Sequence, residues 1–371
     1  MGFTRHSIIT VLAGAGLTVA MSFNSCSDVK FSENASNGDL CLPGEGSPDC
    51  QPELVDYEDN FTVPASTKKV DILLVLDNSG SMSTDLTKLA ARLDGLIEIL
   101  DNGGIDWQMC HVLTGTGSDS LARDWSMPSG IINKKVLLPS TPNKTSVFLN
   151  TTNTIPKSGS GNEQGIIAIR EALIASENAP CFRTDAALSV VLISDEDEKS
   201  CGGRCLDWIT SEVPAAPQYR DGSEYRKQYR ELVEQDDPQK LVDWVKATYG
   251  NKVFITHSIV IQPGDNSCYD VQDKTSPAFF AVLYKRLQSL TGGIAGNICA
   301  DSYADQLTDM GNRTRDAINS VTLRCAPVLA PVVSFNPAMP SVTWAVSGDK
   351  VIFSTAVPEG TLVNVKYVCA K

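Results

Sequence analysis

The sequence has little of what most catalytic and nucleic-acid-binding proteins need. It contains three histidines in 371 residues, so histidine-based acid–base catalysis has few candidates. Lys and Arg number 31 against 44 Asp and Glu, and the net charge of −13 excludes the basic surface that binds nucleic acid. Nucleophile-elbow, phosphate-loop and H-E-x-x-H motifs do not occur. We therefore expect a binding protein and not an enzyme.

The N-terminal segment is typical of export. Its uncharged run 8–20 is too short to span a bilayer and has the length of a signal-peptide core. Cys26 follows the small residue Ser25, as in bacterial lipoproteins, so we predict a signal peptide over 1–25 and lipid attachment to Cys26. Ordinary secretion is the alternative. Loss of Arg5 with the signal peptide would leave 30 basic against 44 acidic residues, a charge of −14.

The cysteines support export. Eleven are unusual for a cytosolic enzyme without a metal-binding pattern, and ten remain besides Cys26, which allows up to five disulfides. The spacing of Cys201 and Cys205 also suits zinc, but no second pair and no nearby histidine completes a four-ligand site. The candidate disulfides are Cys41 with Cys50, Cys201 with Cys205, and Cys325 with Cys369.

Composition divides the mature chain into three parts. Residues 26–67 are polar and predict a tether that holds a lipid-anchored domain away from the membrane. Residues 68–325 alternate strand and helix patterns and predict an α/β fold: a doubly wound, mostly parallel sheet flanked by helices, with insertions near 195–237 and 263–276. Residues 326–371 predict a small C-terminal β appendage.

The α/β part begins with the apolar run 70–76, as expected of a central strand buried on both faces. The patterns predict further strands over 105–113, 131–138, 186–194, 253–261 and 294–299. They predict helices over 84–100, 163–175, 238–249, 277–290 and 302–319.

The strongest chemical signal directly follows the first of these strands. Asp77, Ser79 and Ser81 form a D-x-S-x-S motif, and Gly80 would let the backbone bend sharply. In an open α/β sheet the loops after the strands meet at a switch point where ligands bind. One carboxylate and two hydroxyls are hard oxygen ligands, which favour Mg²⁺ or Mn²⁺ over Zn²⁺. The plain alternative is a helix N-terminus, where Ser and Asp are also favoured.

The run 71–82 resembles the start of a von Willebrand factor A (VWA) domain with its metal-ion-dependent adhesion site, and the resemblance extends over 68–325. It implies a Rossmann-like fold in which three loops hold one cation. Serines of the first loop and a hydroxyl of the second would bind directly, and an acid at the end of a later strand would act through water. The residues at those positions are Asp77, Ser79, Ser81, Ser160 and Asp195, with Glu163 as a rival to Ser160.

The resemblance also implies a function. The cation, Mg²⁺ first and Mn²⁺ or Ca²⁺ as alternatives, would leave one coordination position for an Asp or Glu of a partner protein. We therefore expect an adhesion-type, metal-dependent protein of the bacterial envelope, in the outer membrane or periplasm, anchored by its lipid. The alternative is an envelope scaffold whose binding does not need the metal.

Two further groups of polar residues are expected to have no role in binding. The acids 196–198 could hold a second cation, but their pattern favours a solvated loop. His111 and His257 lie in apolar strands and are expected to be structural.

Overall fold

The computed structural model describes residues 53–63, 68–157, 159, 163–198, 237–250, 252–274, 278–355 and 357–370. The predicted signal peptide therefore lies outside the described residues, and so do Cys26, Cys41, Cys50, Ser160, Cys201 and Cys205.

Strands and helices alternate through most of the chain. The strands are β1 (Leu54–Thr62), β2 (Lys69–Leu76), β3 (Asp106–Leu113), β4 (Ala187–Ile193), β5 (Phe254–Val260), β6 (Ala295–Asn297), β7 (Ser320–Thr322), β8 (Val332–Asn336), β9 (Trp344–Ser347), β10 (Lys350–Phe353) and β11 (Leu362–Ala370). The helices are α1 (Ser83–Ala90), α2 (Asp94–Asn102), α3 (Lys144–Thr154), α4 (Gly165–Ile174), α5 (Pro238–Tyr249), α6 (Asn266–Gln272), α7 (Val282–Thr291) and α8 (Ala304–Ile318).

A five-stranded parallel sheet forms the centre of the α/β domain, residues 68–319, and helices flank it. Its spatial order is β3-β2-β4-β5-β6, so β2 lies between β3 and β4. All seven residues of β4 are buried, as are seven of the eight in β2, because apolar side chains on both faces pack against helices. The chain moves from β2 to one side and from β4 to the other, so the loops after β2 and β4 leave the sheet side by side.

The predicted helix 84–100 is wrong as a single element. The chain turns over residues 91–93 between α1 and α2. A Cβ on Gly95 would lie 2.8 Å from Thr308 Oγ1, so the break brings α2 into close contact with α8. Leu89 before the turn, Leu93 within it and Leu96 after it are all buried. Their unbroken apolar spacing is why the sequence pattern did not reveal it.

The predicted strand 131–138 is also wrong. Its contact with the sheet is one antiparallel bridge between Met109 and Leu137. Ile132 is almost fully exposed, and only Val136 and Leu137 in this segment are buried. Two buried apolar residues attach this loop to the sheet, and in the described structure no further strand pairing follows on from the bridge.

A second hydrophobic core lies in two antiparallel three-stranded sheets, β1-β11-β8 and β7-β10-β9, which we call the β module (54–63 and 320–370). β1 pairs with β11 along all nine residues. The tether prediction therefore fails for 54–62, where Val55, Tyr57 and Phe61 alternate with polar residues as in a strand. The C-terminal part of the module begins at β7, a few residues before the predicted boundary of 326.

Three disulfides connect distant parts of the described chain. The predicted pair Cys325–Cys369 is confirmed and closes the β module. Cys110–Cys181 and Cys268–Cys299 are the others, and Cys268–Cys299 connects α6, within the predicted insertion 263–276, to the segment just after β6. Such bonds are typical of proteins from oxidising compartments. Within the described ranges we find no helix that is long and apolar enough to cross a membrane.

Both strand histidines are structural, as predicted. His257 on β5 accepts a hydrogen bond from Ile294 N at Nδ1 (3.1 Å), so Nε2 carries the proton and donates to Thr314 Oγ1 (2.9 Å). Burial, with a smaller contribution from Arg313, lowers its pKa to about 3. His111 on β3 packs against Trp125, and burial lowers its pKa to about 3 as well.

The depressed pKa of His257 predicts acid sensitivity. The unfolded chain binds a proton at this site below pH 6.5 and the native state does not, so stability contributed at neutral pH is lost as pH falls toward 3. Relative to His257→Gln, the wild type should lose about 2 kcal/mol of unfolding free energy between pH 6.5 and 5. Urea titrations of both proteins across this range measure the difference, and parallel pH profiles would contradict the assignment.

Candidate metal centre

The first loop leaves the sheet at its switch point. Asp77 follows β2 and donates its backbone N–H to Ile193 O at the end of β4 (3.0 Å). Its buried carboxylate accepts from Ser79 N at Oδ1 (2.7 Å) and from Ser194 Oγ at Oδ2 (2.7 Å). Both oxygens are thereby oriented by neighbours on two different loops.

The two serines of the motif are adjacent in space. Ser79 Oγ and Ser81 Oγ lie 3.0 Å apart, with Ser79 buried and Ser81 half-buried. Met82, fully buried, anchors the short 3-10 turn that carries Ser81 into α1. The motif therefore presents two hydroxyls beside the carboxylate, as the sequence pattern predicted.

The second loop passes directly over the first. Gly159 N donates to Asn78 O (3.0 Å), and Asn78 Nδ2 donates to Pro156 O (2.8 Å). A Cβ on Gly159 would lie 2.3 Å from Asn78 Oδ1, which excludes any other residue without a shift. A Cβ on Gly80 would lie 3.8 Å from its nearest neighbour, so there is room for a side chain there. The position that needs glycine is therefore Gly159, and not Gly80 as the sequence suggested.

The rival second-loop residue, Glu163, is buried and accepts a hydrogen bond from the Thr114 hydroxyl beyond β3. Gln164 N also donates to Thr114 O (2.8 Å). These contacts attach the start of α4 to the end of β3. Glu163 thus helps to connect the second loop to the end of β3.

Asp195 is a buried acid whose carboxyl group lacks hydrogen bonds in the described structure. It is fully buried, and among the residues that the structure describes neither carboxylate oxygen has a hydrogen-bond partner. Burial raises its pKa well above the usual range, and the negative charge of Asp77 raises it further. The Ser81 hydroxyl, near but outside hydrogen-bond geometry, lowers this pKa in part. The structure thus brings Asp77, Ser79, Ser81 and Asp195 together.

The acids after Asp195 do not form a solvated loop, and that prediction is wrong. Glu196, Asp197 and Glu198 are all buried. Asp197 accepts from the backbone N–H groups of Val282, Leu283 and Tyr284 at 3.1–3.4 Å, at the start of α7. Burial raises its pKa to about 7, against the lowering effect of these hydrogen bonds.

Glu198 has a similar role at another helix. Its Oε2 accepts from Ile166 N at 2.5 Å, in the first turn of α4. The positive end of a helix dipole and its free N–H groups favour a carboxylate there. No sequence pattern indicates that these two acids accept hydrogen bonds from helices that lie elsewhere in the chain.

The ligand set is mostly hydroxyl. Within the described parts of the chain, no group of three or more His, Cys, Asp and Glu side chains has an arrangement that could hold a metal. A centre built from Asp77, Ser79, Ser81 and Asp195, with Ser160, would have two carboxylates and three serine hydroxyls, and it therefore differs from such a group. Such a set suits a hard cation that keeps several waters.

Comparison with known proteins adds no family assignment. No family model matches the chain, and no curated protein matches it. Among solved structures, it is similar to the pilus adhesin SpaC of Lactobacillus rhamnosus GG, with 12% identity and a TM-score of 0.34, over 85% of this chain and 41% of that one. The chain thus spans about two fifths of that adhesin's length.

Two other solved structures show similar values. Proximal thread matrix protein 1 of the mussel byssus has 13% identity and a TM-score of 0.35, over 74% of this chain and 50% of that one. The adhesive tip pilin GBS104 of Group B Streptococcus agalactiae has 11% identity and a TM-score of 0.34, over 87% and 83%. Identity and TM-score are low for all three structures, so they imply no function for this chain.

The close approach of the two loops predicts unequal effects of two glycine substitutions. Gly159→Ala should lower the unfolding free energy by about 1–3 kcal/mol, because the added methyl group overlaps Asn78. Gly80→Ala, in the same region but with room for a Cβ, should change it by less than about 0.5 kcal/mol. Urea denaturation of both variants measures the contrast. Equal effects would mean that the loops are not in contact at Gly159.

Proposed function

We propose that this protein binds a divalent cation at the end of its parallel sheet and uses it to hold a carboxylate of a partner protein. The proposed ligands are Asp77, Ser79, Ser81 and Asp195, together with Ser160, which lies outside the described residues. The observation that carries the proposal is the buried Asp195 carboxyl, which has no hydrogen-bond partner among the described residues and lies beside Asp77. On this proposal the α/β domain is of the VWA type.

The electrostatics support a cation. Two buried carboxylates that lie close together cannot both ionise without a compensating positive charge. Lys88 contacts Asp85 at 3.2 Å and packs over the Tyr303 ring, and Lys157 Nζ donates to Ser83 Oγ at 3.2 Å, so both of these cations have other partners. A divalent ion would supply the missing positive charge, and the Asp195 oxygens would coordinate it.

The ligand types favour Mg²⁺, with Mn²⁺ and Ca²⁺ as alternatives. Carboxylate and hydroxyl oxygens suit hard cations, and a site with few protein ligands suits an ion that keeps waters. When bound, the metal would act as a Lewis acid that attracts an anionic oxygen of the partner.

The chain's own residues keep the proposed site in one geometry. Ser194 and the Ser79 N–H orient Asp77, and the contact of Asn78 with Gly159 positions the second loop. Asp197 and Glu198 hold the starts of two helices against the loop that follows β4. Because these groups are fixed before any ligand arrives, little ordering entropy remains to be lost on binding.

We propose binding and not catalysis, on an envelope protein anchored through a lipid on Cys26. The catalytic motifs missing from the sequence and the scarcity of histidine support the first point. The signal-like N-terminus supports the second, and the disulfides support export. A chain with charge −14 repels an acidic partner, so the cation would decide whether the two surfaces can meet.

The central prediction concerns Asp195→Asn, which should change stability and metal binding in opposite directions. Without metal the variant should be more stable than wild type, because an unpaired buried carboxyl becomes a neutral amide. Metal at about 100 times its dissociation constant should stabilise wild type by about 2.7 kcal/mol. That gain should disappear in Asp195→Asn and in Asp77→Ala.

Thermal melts with Mg²⁺, Mn²⁺, Ca²⁺ or chelator measure these effects. Ser83→Ala, which follows the motif and whose hydroxyl contacts Lys157 at 3.2 Å, is the control and should keep the wild-type shift. A wild-type protein that none of the three ions stabilises would refute the metal site, as would Asp195→Asn with an undiminished shift.

A separate experiment tests the partner. Affinity capture of envelope proteins should retain a specific partner in Mg²⁺ and release it in chelator, and mass spectrometry identifies it. Asp77→Ala bait should capture nothing beyond background. A partner that survives chelation and binds Asp77→Ala equally would favour the scaffold alternative, in which the site is incidental.

A further inference from the structure

A cavity of about 630 Å³ lies between the α/β domain and the β module. Its walls come from the end of β1, from Val253 just before β5, from the end of α8, and from β7 and β10. The proposed metal centre lies at the other end of the parallel strands, after β2 and β4. The cavity has the volume of a site for a small organic molecule, which is typically about 300–1,000 Å³.

The lining of this junction cavity is largely apolar. Phe61, Val253 and Val321 are half-buried, and Phe353 and Ile318 are buried. Side chains of this kind in a concave surface favour the apolar body of a ligand over water.

The lining also has polar residues, of which Asn319 and Lys246 bear on the ligand that would fit. Asn319, which is 3% exposed, contributes its backbone C=O to Phe353 N (2.8 Å), but its side-chain Oδ1 has no hydrogen-bond partner in the described structure. Buried polar atoms in native proteins nearly always have a partner, so this acceptor requires an explanation. A ligand N–H or O–H would provide one.

Lys246 is the other of these two residues. It lies on α5, is exposed, and is the charged residue that lines the cavity. Its ammonium group forms no ion pair with the residues that the structure describes, whereas Lys69, Lys88, Lys144 and Lys366 each do. An unpaired cation at an apolar cavity in a strongly acidic protein is complementary to an anion.

We propose that the junction cavity binds a small anionic amphiphile. The apolar body would lie between Phe61 and Phe353, a donor group would reach Asn319 Oδ1, and the anionic group would meet Lys246. The proposal rests on these contacts alone and does not depend on the metal site.

The test uses 8-anilinonaphthalene-1-sulfonate, whose aromatic body, N–H group and sulfonate match the three features. Titrated into the full disulfide-bonded protein, it should bind with a saturable rise in fluorescence near one molecule per chain. Val321→Trp, which fills the cavity, should weaken binding at least about tenfold. Asn319→Leu should also weaken it, and offers a second variant if Val321→Trp does not fold by circular dichroism.

A neutral probe separates the charge from the apolar contact. N-phenyl-1-naphthylamine keeps the rings and the N–H but lacks the sulfonate. Lys246→Met should weaken the sulfonate probe by up to about fivefold and leave the neutral probe unchanged. Lys240→Met, on the same helix but away from the cavity, should affect neither. The proposal would be overturned if both folded cavity variants bound the sulfonate probe as tightly as wild type. It would also be overturned if Lys246→Met weakened the binding of both probes equally.

Discussion

The placement of charge at the end of the parallel sheet is the constraint on which the site depends. β2 and β4 are neighbours, and the hydrogen bond from Asp77 N to Ile193 O brings the first residues after these strands together. Each strand is followed by an aspartate, and both aspartates are buried. Two buried acids at this position carry an electrostatic cost that neutral polar side chains would not, and the cation that we propose would offset it.

The surrounding acids illustrate how a protein can bury further negative charge without basic side chains. Asp197 and Glu198 accept backbone N–H groups from α7 and α4, so the positive ends of two helices provide the compensation. Asp195, between them and β4, has no such helix in the described structure. Asp195 is as buried as Asp197 and Glu198, but within the described residues it lacks the N–H donors that those two residues have. Asp195 is therefore the acid whose side-chain oxygens are available to a ligand.

Much of the α/β domain could be predicted because parallel strands buried on both faces have a distinct apolar pattern. The first loop and the acid after β4 were predictable for the same reason, since their positions follow from strand ends. The break between α1 and α2 was not, because the buried leucines continue their spacing through it. Nor were the roles of Asp197 and Glu198, whose partners lie 85 and 32 residues away in the chain. The strand β1 was missed because its partner β11 lies at the far end of the sequence.

That pairing has a consequence for how the protein is made. Asp59 and Tyr367, which share a hydrogen bond, are 308 residues apart in sequence. β1 therefore leaves the ribosome, or the export channel, long before β11, the strand with which it pairs. The intervening domain can fold while the edge of β1 is still unpaired. Contacts at such separation form late and slowly. The β module can therefore be completed only after β11 has been made, and a product truncated before β11 would carry an open edge that favours aggregation.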